Sequence, residues 1–158
     1  MSSAAWSGRR SEMIVRPLAA DDRAAWEPLW QGYLQFYETR IAPEVSDLTF
    51  ARLTGGRDPM GGFAAAEDSG ELIGIAHWIT HRSCWTAGDY CYLQDLFVAP
   101  GQRGAGIGRK LIEAVYGHAR SLGCSRVHWL THETNKDAML LYDRIADRSG
   151  FLQYRKIF

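Results

Sequence analysis

The sequence has few residues that could form disulfides or bind structural zinc, and no long apolar run. It contains only three cysteines, Cys84, Cys91 and Cys124, and no Cys-x-x-Cys pair. Neither a disulfide framework nor a zinc ribbon is therefore expected, and a reducing cytoplasm is the simplest location. No apolar run approaches the roughly 18 residues that a membrane-spanning helix requires, so no membrane partner is expected.

There is also no excess of charge of either sign. Eighteen Lys and Arg residues balance 18 Asp and Glu residues, which argues against nucleic acid as a partner. The balance hides a division, because residues 1–100 hold eight basic and thirteen acidic side chains, whereas residues 101–158 hold ten and five. Such a division can arise by chance, and it indicates a function only if a site falls on it.

The length and composition predict one globular domain. The 158 residues are 46% hydrophobic and 23% charged, close to the average for folded domains. The small and polar start predicts a disordered N-terminal tail at residues 1–12, followed by a single domain at residues 13–158.

The pattern of apolar residues predicts an α/β fold with a sheet of mixed direction. The expected order is β-α-α-β-β-β-α-β-α-β. The expected strands are 13–17, 63–67, 71–80, 90–98, 126–132 and 151–158. The expected helices begin near Asp21, with a kink or a restart at Pro28, and then cover 44–57, 107–122 and 136–147, with a glycine-rich loop at 55–62. Residues 90–132 form a β-α-β unit, so its two strands should be parallel.

A glycine-rich turn, Pro100 to Gly108, lies between a predicted strand and a predicted helix. Such a turn exposes backbone N–H groups at a helix N-terminus and favours an anion such as a phosphate. The dinucleotide pattern G-x-G-x-x-G and the P-loop pattern both fail here. The spacing that remains is R-x-x-G-x-G, from Arg103 to Gly108.

This sequence resembles the GNAT superfamily of N-acetyltransferases. The resemblance rests on the strand Tyr92 to Val98, on the R-x-x-G-x-G turn, and on an N-x-x-A-x-x-x-Y element formed by Asn135, Ala138 and Tyr142. It implies a mostly antiparallel central sheet flanked by helices, with the parallel β-α-β unit at the site of the co-substrate acetyl-CoA. The end of the chain is similar to the histone and polyamine acetylase subgroup, which implies a homodimer built partly through the last strand.

The resemblance also implies the residues that bind acetyl-CoA. The pantetheine arm would lie along Leu96, Phe97 and Val98, with Asn135 and Ala138 on the next helix. Tyr142 would be the general acid, because a phenol is protonated at neutral pH and can protonate a leaving thiolate. Backbone N–H groups of the turn would hold the pyrophosphate, and these belong to Arg103, Gly104, Ala105, Gly106, Ile107, Gly108 and Arg109.

The general base and the acceptor site remain more open. Some relatives that acetylate polyamines carry Glu-Asp where this chain has Gln94 and Asp95, and glutamine cannot accept a proton. Asp95, His132 and Glu133 are the candidate bases, and the amine could also bind in its neutral form. Tyr33 and Tyr37 are expected to line the acceptor site, with Gln94 and His132 near it.

The expected reaction is acetyl transfer from acetyl-CoA to a primary amine, most simply that of a small cationic or polyamine-like molecule. A protein lysine is an alternative acceptor, and a non-catalytic acyl-CoA sensor is an alternative function. No metal is expected. His77 and His81, like His128 and His132, are four residues apart on predicted strands, so each pair is separated by about 13 Å.

Overall fold

The centre of the fold is a five-stranded sheet in the order β1-β2-β3-β4-β5. The computed structural model describes residues 12–158, so the expected tail lies, apart from Glu12, outside the described residues. The strands are β1 (Ile14–Pro17), β2 (Met60–Ala66), β3 (Leu72–His81), β4 (Tyr90–Val98) and β5 (Arg126–His128). The helices are α1 (Arg23–Phe36), α2 (Pro43–Gly55), α3 (Ile107–Ser121) and α4 (Lys136–Ile145).

The sheet is mixed in the way that the sequence predicts. Strands β1 to β4 pair antiparallel, and β5 pairs parallel with β4. The parallel pair is joined through α3, which packs its apolar stripe on one face of the sheet. Helices α1 and α2 cover the opposite face, so two apolar clusters lie on either side of the sheet. The expected fold class is confirmed.

The sequence predicts a kink or a restart of the first helix at Pro28, and the structure shows no restart. Helix α1 continues from Arg23 to Phe36 with Pro28 inside it. Proline inside a helix costs about 3 kcal/mol, but α1 buries Trp26, Leu29, Trp30 and Leu34 against the sheet. The burial of this apolar face offsets the missing hydrogen bond.

The last strand predicted by the sequence, residues 151–158, is wrong. The structure assigns no strand to this segment, in which Phe151, Leu152, Tyr154, Ile157 and Phe158 are all largely exposed. A strand forms only where a neighbouring strand pairs with it, and no part of residues 12–158 pairs with this one. Strand β5 is likewise shorter than expected and ends at His128, which leaves His132 in a loop.

Smaller differences concern bounds. Strand β2 begins at Met60, inside the segment expected to be a loop, and α2 ends at Gly55. Among the described residues, no helix is long and apolar enough to cross a membrane. All three cysteines are free.

Candidate active site

Strands β4 and β5 separate shortly after they meet. Only Tyr90, Cys91 and Tyr92 pair with β5, and β4 continues alone on that side to Val98. The Ala99 N–H donates to the Ile73 carbonyl on β3, at 2.9 Å. Because alternate residues of a strand direct their backbone groups to opposite neighbours, those of Leu96 and Val98 point away from β3. This part of β4 offers free backbone groups to an extended ligand.

Phe97 differs in orientation from Leu96 and Val98, with which the resemblance groups it. By the same alternation its backbone groups point to β3, and its ring is buried on the α1 face of the sheet. The ring lies where a Cβ on Gly32 would come within 2.8 Å of it, so glycine at this position lets α1 approach β4 closely. The ring of Phe97 therefore sets the position of α1 and is not part of the free edge.

The glycine-rich turn lies at the end of this free edge. Gly104 and Gly106 have φ of 85° and 77°, the left-handed region that glycine enters without strain. Ile107 anchors the start of α3 in the core, whereas Ala105 is exposed. The first N–H groups of α3 have no partners within the helix and face the turn, as anion binding requires.

The charged side chains of the turn are engaged with the protein itself. Arg103 donates from Nε to the Val98 carbonyl at 3.2 Å and lies over the rings of Phe36 and Phe97. Arg109 forms an ion pair with Glu113 at 2.8 Å. The backbone of the turn, including Gly108 in the first turn of α3, is therefore the part left open for an anion.

The gap between the separating strands β4 and β5 is called the fork below. Helix α4 brings the N-x-x-A-x-x-x-Y residues to the side of the fork opposite β4. Tyr142 packs edge-on against Trp129, with ring centroids 5.3 Å apart. Burial, with a smaller effect of Tyr37, raises the pKa of its phenol to about 12. Asn135 precedes α4, but its side chain makes no capping bond and donates to Thr131 at 3.3 Å. Ala138 is half-buried in the first turn of α4.

A β-bulge in β4 determines where Asp95 points. His77 of β3 pairs with Asp95 and Trp78 pairs with Leu93, so Gln94 is an extra residue and is exposed. Leu93 lies in the cluster on the α3 face, whereas the side chain of Asp95 turns to the α1 face. In a regular strand these two residues would share a face.

Asp95 is a buried carboxylate among tyrosines. It is 8% exposed, and its charge contributes to raising the pKa of Tyr33, Tyr37 and Tyr92, after the larger effect of burial in each case. Tyr37 is within electrostatic reach of both Asp95 and Tyr142. The structure thus brings together the two tyrosines of α1 and the carboxylate that the sequence singled out.

A second set of residues around Asp95 was not identified from the sequence. His77 contacts the carboxylate and Trp26 contacts His77, although the sequence singled out His77 only as half of a rejected metal pair. Tyr92 also faces Asp95. No local pattern signals these contacts, because Trp26 and His77 lie 51 residues apart.

A cleft of about 540 Å³ opens beside Tyr37, between the end of α1 and the start of α4. His132 and Asn135 line it, and the Thr134 N–H donates to His132 Nδ1 at 3.2 Å. Glu133 is exposed and is not among the residues that line the cleft. Within residues 12–158, no three His, Cys, Asp or Glu side chains converge as ligands of a metal would.

Comparison with known proteins identifies the family. The model of the acetyltransferase (GNAT) family matches residues 23–146. The D-amino-acid N-acetyltransferase HPA3 of Saccharomyces cerevisiae is 36% identical over 91% of this chain and 90% of its own length. A mouse thialysine N-ε-acetyltransferase is 35% identical over 58% of this chain and 57% of its own. An aminoglycoside N-acetyltransferase solved with CoA has the same fold, with a TM-score of 0.80 at 20% identity over 94% of this chain and 97% of its own.

The chain therefore belongs to the GNAT family of acetyltransferases and is an enzyme that transfers acetyl from acetyl-CoA to an amine. The free edge of β4 and the open α3 N-terminus fit an extended arm that ends in phosphates. Membership in a family of enzymes leaves the non-catalytic sensor without support. The acceptor is the part of the function that the family leaves open.

Proposed function

We propose that the enzyme acetylates the primary amine of a small cationic molecule. The observation that carries this proposal is the buried Asp95 carboxylate, set among the phenols of Tyr33, Tyr37 and Tyr92. A carboxylate attracts an ammonium group, and the faces of aromatic rings attract cations as well. The acidic excess of residues 1–100, which contribute all four of these residues, would steer a cation towards them.

Each half of the site has a separate task in the proposed reaction. Acetyl-CoA supplies the thioester whose carbonyl carbon the amine attacks. Asp95 takes one proton from the ammonium, so that the nitrogen has a free electron pair when the C–N bond forms. As the C–S bond breaks, Tyr142 gives its phenolic proton to the sulfur, and the second proton that the nitrogen loses on becoming an amide returns to the Tyr142 phenolate through solvent.

The raised pKa of Tyr142 suits an acid that must be protonated at every working pH. It also makes the phenol a weaker acid, but the sulfur takes on its charge in the same apolar surroundings. Desolvation favours the neutral form of both groups, which raises the proton affinity of the thiolate too. The proton transfer is therefore less unfavourable than the phenol's pKa alone suggests.

The chain's own backbone would hold acetyl-CoA. The backbone groups of Leu96 and the N–H of Val98 would pair with the amides of the pantetheine arm as an added strand does, and the side-chain amide of Asn135 would face them across the fork. The N–H groups from Arg103 to Arg109 would hold the pyrophosphate. For the arm to bond the Val98 carbonyl, the Arg103 side chain must leave it.

An amine panel tests the proposal. Release of CoA thiol would be followed with polyamines, diamines, free amino acids of both hands, an aminoglycoside and a lysine-containing peptide. These include the acceptor classes named for the relatives, together with the protein-lysine alternative. We expect the highest kcat/KM with a small amine that is cationic near its reacting nitrogen. Preference for the peptide would replace the proposal by protein acetylation, and preference for an uncharged amine would contradict it.

We also propose that the enzyme works as a homodimer in a reducing compartment such as the cytoplasm. The support for the dimer is the exposed apolar segment 151–158, in which Phe151 is 77% and Tyr154 92% exposed. Surface of this kind favours contact with another chain. Light scattering of the intact chain should give twice the monomer mass, and removal of residues 151–158 should give the monomer. A monomeric intact chain would contradict the proposal. The three free cysteines fit a compartment that keeps thiols reduced.

A further inference from the structure

A chain of hydrogen bonds leads from the core of the α1 face to Asp95. Trp26 Nε1 donates to His77 Nε2 at 3.0 Å, and His77 Nδ1 lies 2.9 Å from Asp95 Oδ2. Trp26 is 0% and His77 1% exposed, so neither side chain can exchange its partner for water. The chain ends at the carboxylate that the proposed function assigns to the ammonium group of the acceptor.

The chemistry of the three groups fixes the position of the proton on His77. An indole N–H only donates, so His77 Nε2 must accept and carries no hydrogen. The imidazole is therefore neutral, with its hydrogen on Nδ1, and that N–H donates to the Asp95 carboxylate. Protonation of Nε2 would break the bond from Trp26 and leave a buried indole N–H unpaired.

We propose that His77 is a positioning residue for amine acetylation, which holds the Asp95 carboxylate in place and aimed at the acceptor, and that Trp26 secures the tautomer in which His77 can do so. The inference rests on the proposed function, in which Asp95 receives the ammonium. His77 does not take up the proton itself, because its second nitrogen is already occupied. A proton that leaves the amine stays on Asp95 until it passes to solvent.

Trp26, His77 and Asp95 form a hydrogen-bonded chain that we call the relay. Among the described residues, no other charged side chain lies within hydrogen-bonding distance of His77 or Asp95. From α1, Trp30 and Tyr33 face His77 and Asp95, while β4 adds Tyr92. The nearest cation on α1, Arg23, lies over the Trp26 ring with its guanidinium 5.1 Å from the ring centroid. Arg23 is itself paired with Glu27 and Asp47. Asp95 is thus the only carboxylate bonded to His77 in this part of the chain.

The first measurement does not depend on turnover. Nitrogen-15 spectra of the imidazole in the intact protein near neutral pH should show His77 with hydrogen on Nδ1 and none on Nε2. A spectrum with hydrogen on Nε2, or on both nitrogens, would overturn the relay, whatever the enzyme acetylates.

The second measurement separates positioning from folding. His77→Phe should lower kcat/KM for the amine about tenfold to a hundredfold, the effect of losing one hydrogen bond to a charged group. The KM for acetyl-CoA should stay unchanged. His77→Asn, whose amide can still donate to Asp95, should restore most of the lost activity. Trp26→Phe, which removes the donor to Nε2 and part of a buried ring but leaves the His77–Asp95 bond, should cause a smaller loss than His77→Phe.

Leu53→Ala is the control for lost packing. Leu53 is buried in the same apolar cluster, on α2, and is not part of the hydrogen-bonded chain. The substitution should lower thermal stability but keep kcat/KM for the amine. If His77→Phe lowers kcat/KM no more than Leu53→Ala does, His77 is merely structural. If the wild type acetylates no amine, the proposed function fails as well, whereas an Nε2–H tautomer defeats the relay alone.

Discussion

The two sides of the site are built from different parts of the polypeptide. The proposed acetyl-CoA side is mainly backbone, consisting of the free edge of β4, the turn with Gly104 and Gly106, and the start of α3. The proposed acceptor side is almost entirely side chain, with Asp95 in contact with His77 and close to tyrosines. A backbone site suits a ligand that every member of the family shares. A side-chain site suits an acceptor that differs between members, because substitutions change it without changing the fold.

The division of charge follows nearly the same boundary. The tyrosines of α1, His77 and Asp95 come from the acidic first 100 residues, and the turn and α4 come from the basic remainder, although the free edge of β4 also belongs to the first 100 residues. The basic segment carries the turn that fits phosphates, and the acidic segment carries the proposed ammonium site. Such an arrangement would attract ligands of opposite charge to different parts of a protein with no net charge.

Asp95→Asn should break the acceptor side most completely. The amide keeps the shape of the carboxylate but loses its charge and its ability to take a proton. We expect kcat/KM for the amine to fall about 100- to 1,000-fold, the usual contribution of a general base, with acetyl-CoA affinity unchanged. Steady-state kinetics and calorimetric titration with acetyl-CoA measure the two quantities. Asp22→Asn, at another buried carboxylate that is paired with Arg16, is the control, and an equal loss there would assign the effect to the loss of a buried charge.

Tyr142→Phe tests the acid at the boundary between the two sides. Without the phenolic proton, kcat should fall about 100-fold while the dissociation constant of acetyl-CoA stays the same. Tyr116→Phe provides the control, because Tyr116 packs in the same cluster and its hydroxyl donates to the Ile145 carbonyl, away from the fork. A parallel loss of affinity and turnover in Tyr142→Phe would show that the side chain is structural.

The conformation of the glycine-rich turn is a feature that sequence reasoning could predict. Arg103 to Gly108 would act through their backbone, and glycines at fixed spacing are visible in a sequence because few other residues adopt positive φ. The bounds of β4 and the start of α3 were predicted correctly for the same kind of reason, since apolar periodicity and turn residues are local signals.

The acceptor side could be predicted only in part. Alternation along a regular strand places Leu93 and Asp95 on one face, and only the bulge at Gln94 separates them. Asp95 contacts His77, which lies 18 residues earlier in the sequence, and His77 contacts Trp26, which lies 51 residues before it. The expected strand at 151–158 failed because its composition favours a strand but pairing requires a partner. Contacts of this kind depend on the packed sheet and not on any local pattern.

Gly106→Ala should weaken only the acetyl-CoA side. At φ of 77° an added Cβ costs about 1–2 kcal/mol, so the turn should shift and the KM for acetyl-CoA should rise about tenfold. The Cβ itself meets open space, so no clash contributes. Gly70→Ala is matched in conformation, at φ of 86° in the turn between β2 and β3, and should cost similar stability without changing KM. Equal KM values for acetyl-CoA in the two variants would show that the turn does not bind acetyl-CoA.

The smallest expected effect concerns kcat, which should not change as the pH is raised to about 10. Burial holds the folded-state pKa of Tyr142 at about 12, above the ordinary value for a phenol, so the acid stays protonated through the alkaline range. At saturating amine, kcat should therefore not fall up to about pH 10, where an exposed phenol would be half ionised. The free energy of unfolding, unlike kcat, should change with pH, because the folded state keeps a proton that the unfolded chain loses. Between about pH 10 and 12 the Tyr142 contribution to the free energy of unfolding should decrease as pH rises. Kinetics and circular dichroism on the same samples distinguish the two effects. A fall in kcat centred well below pH 10, with the fold intact, would mean that the proton comes from another group.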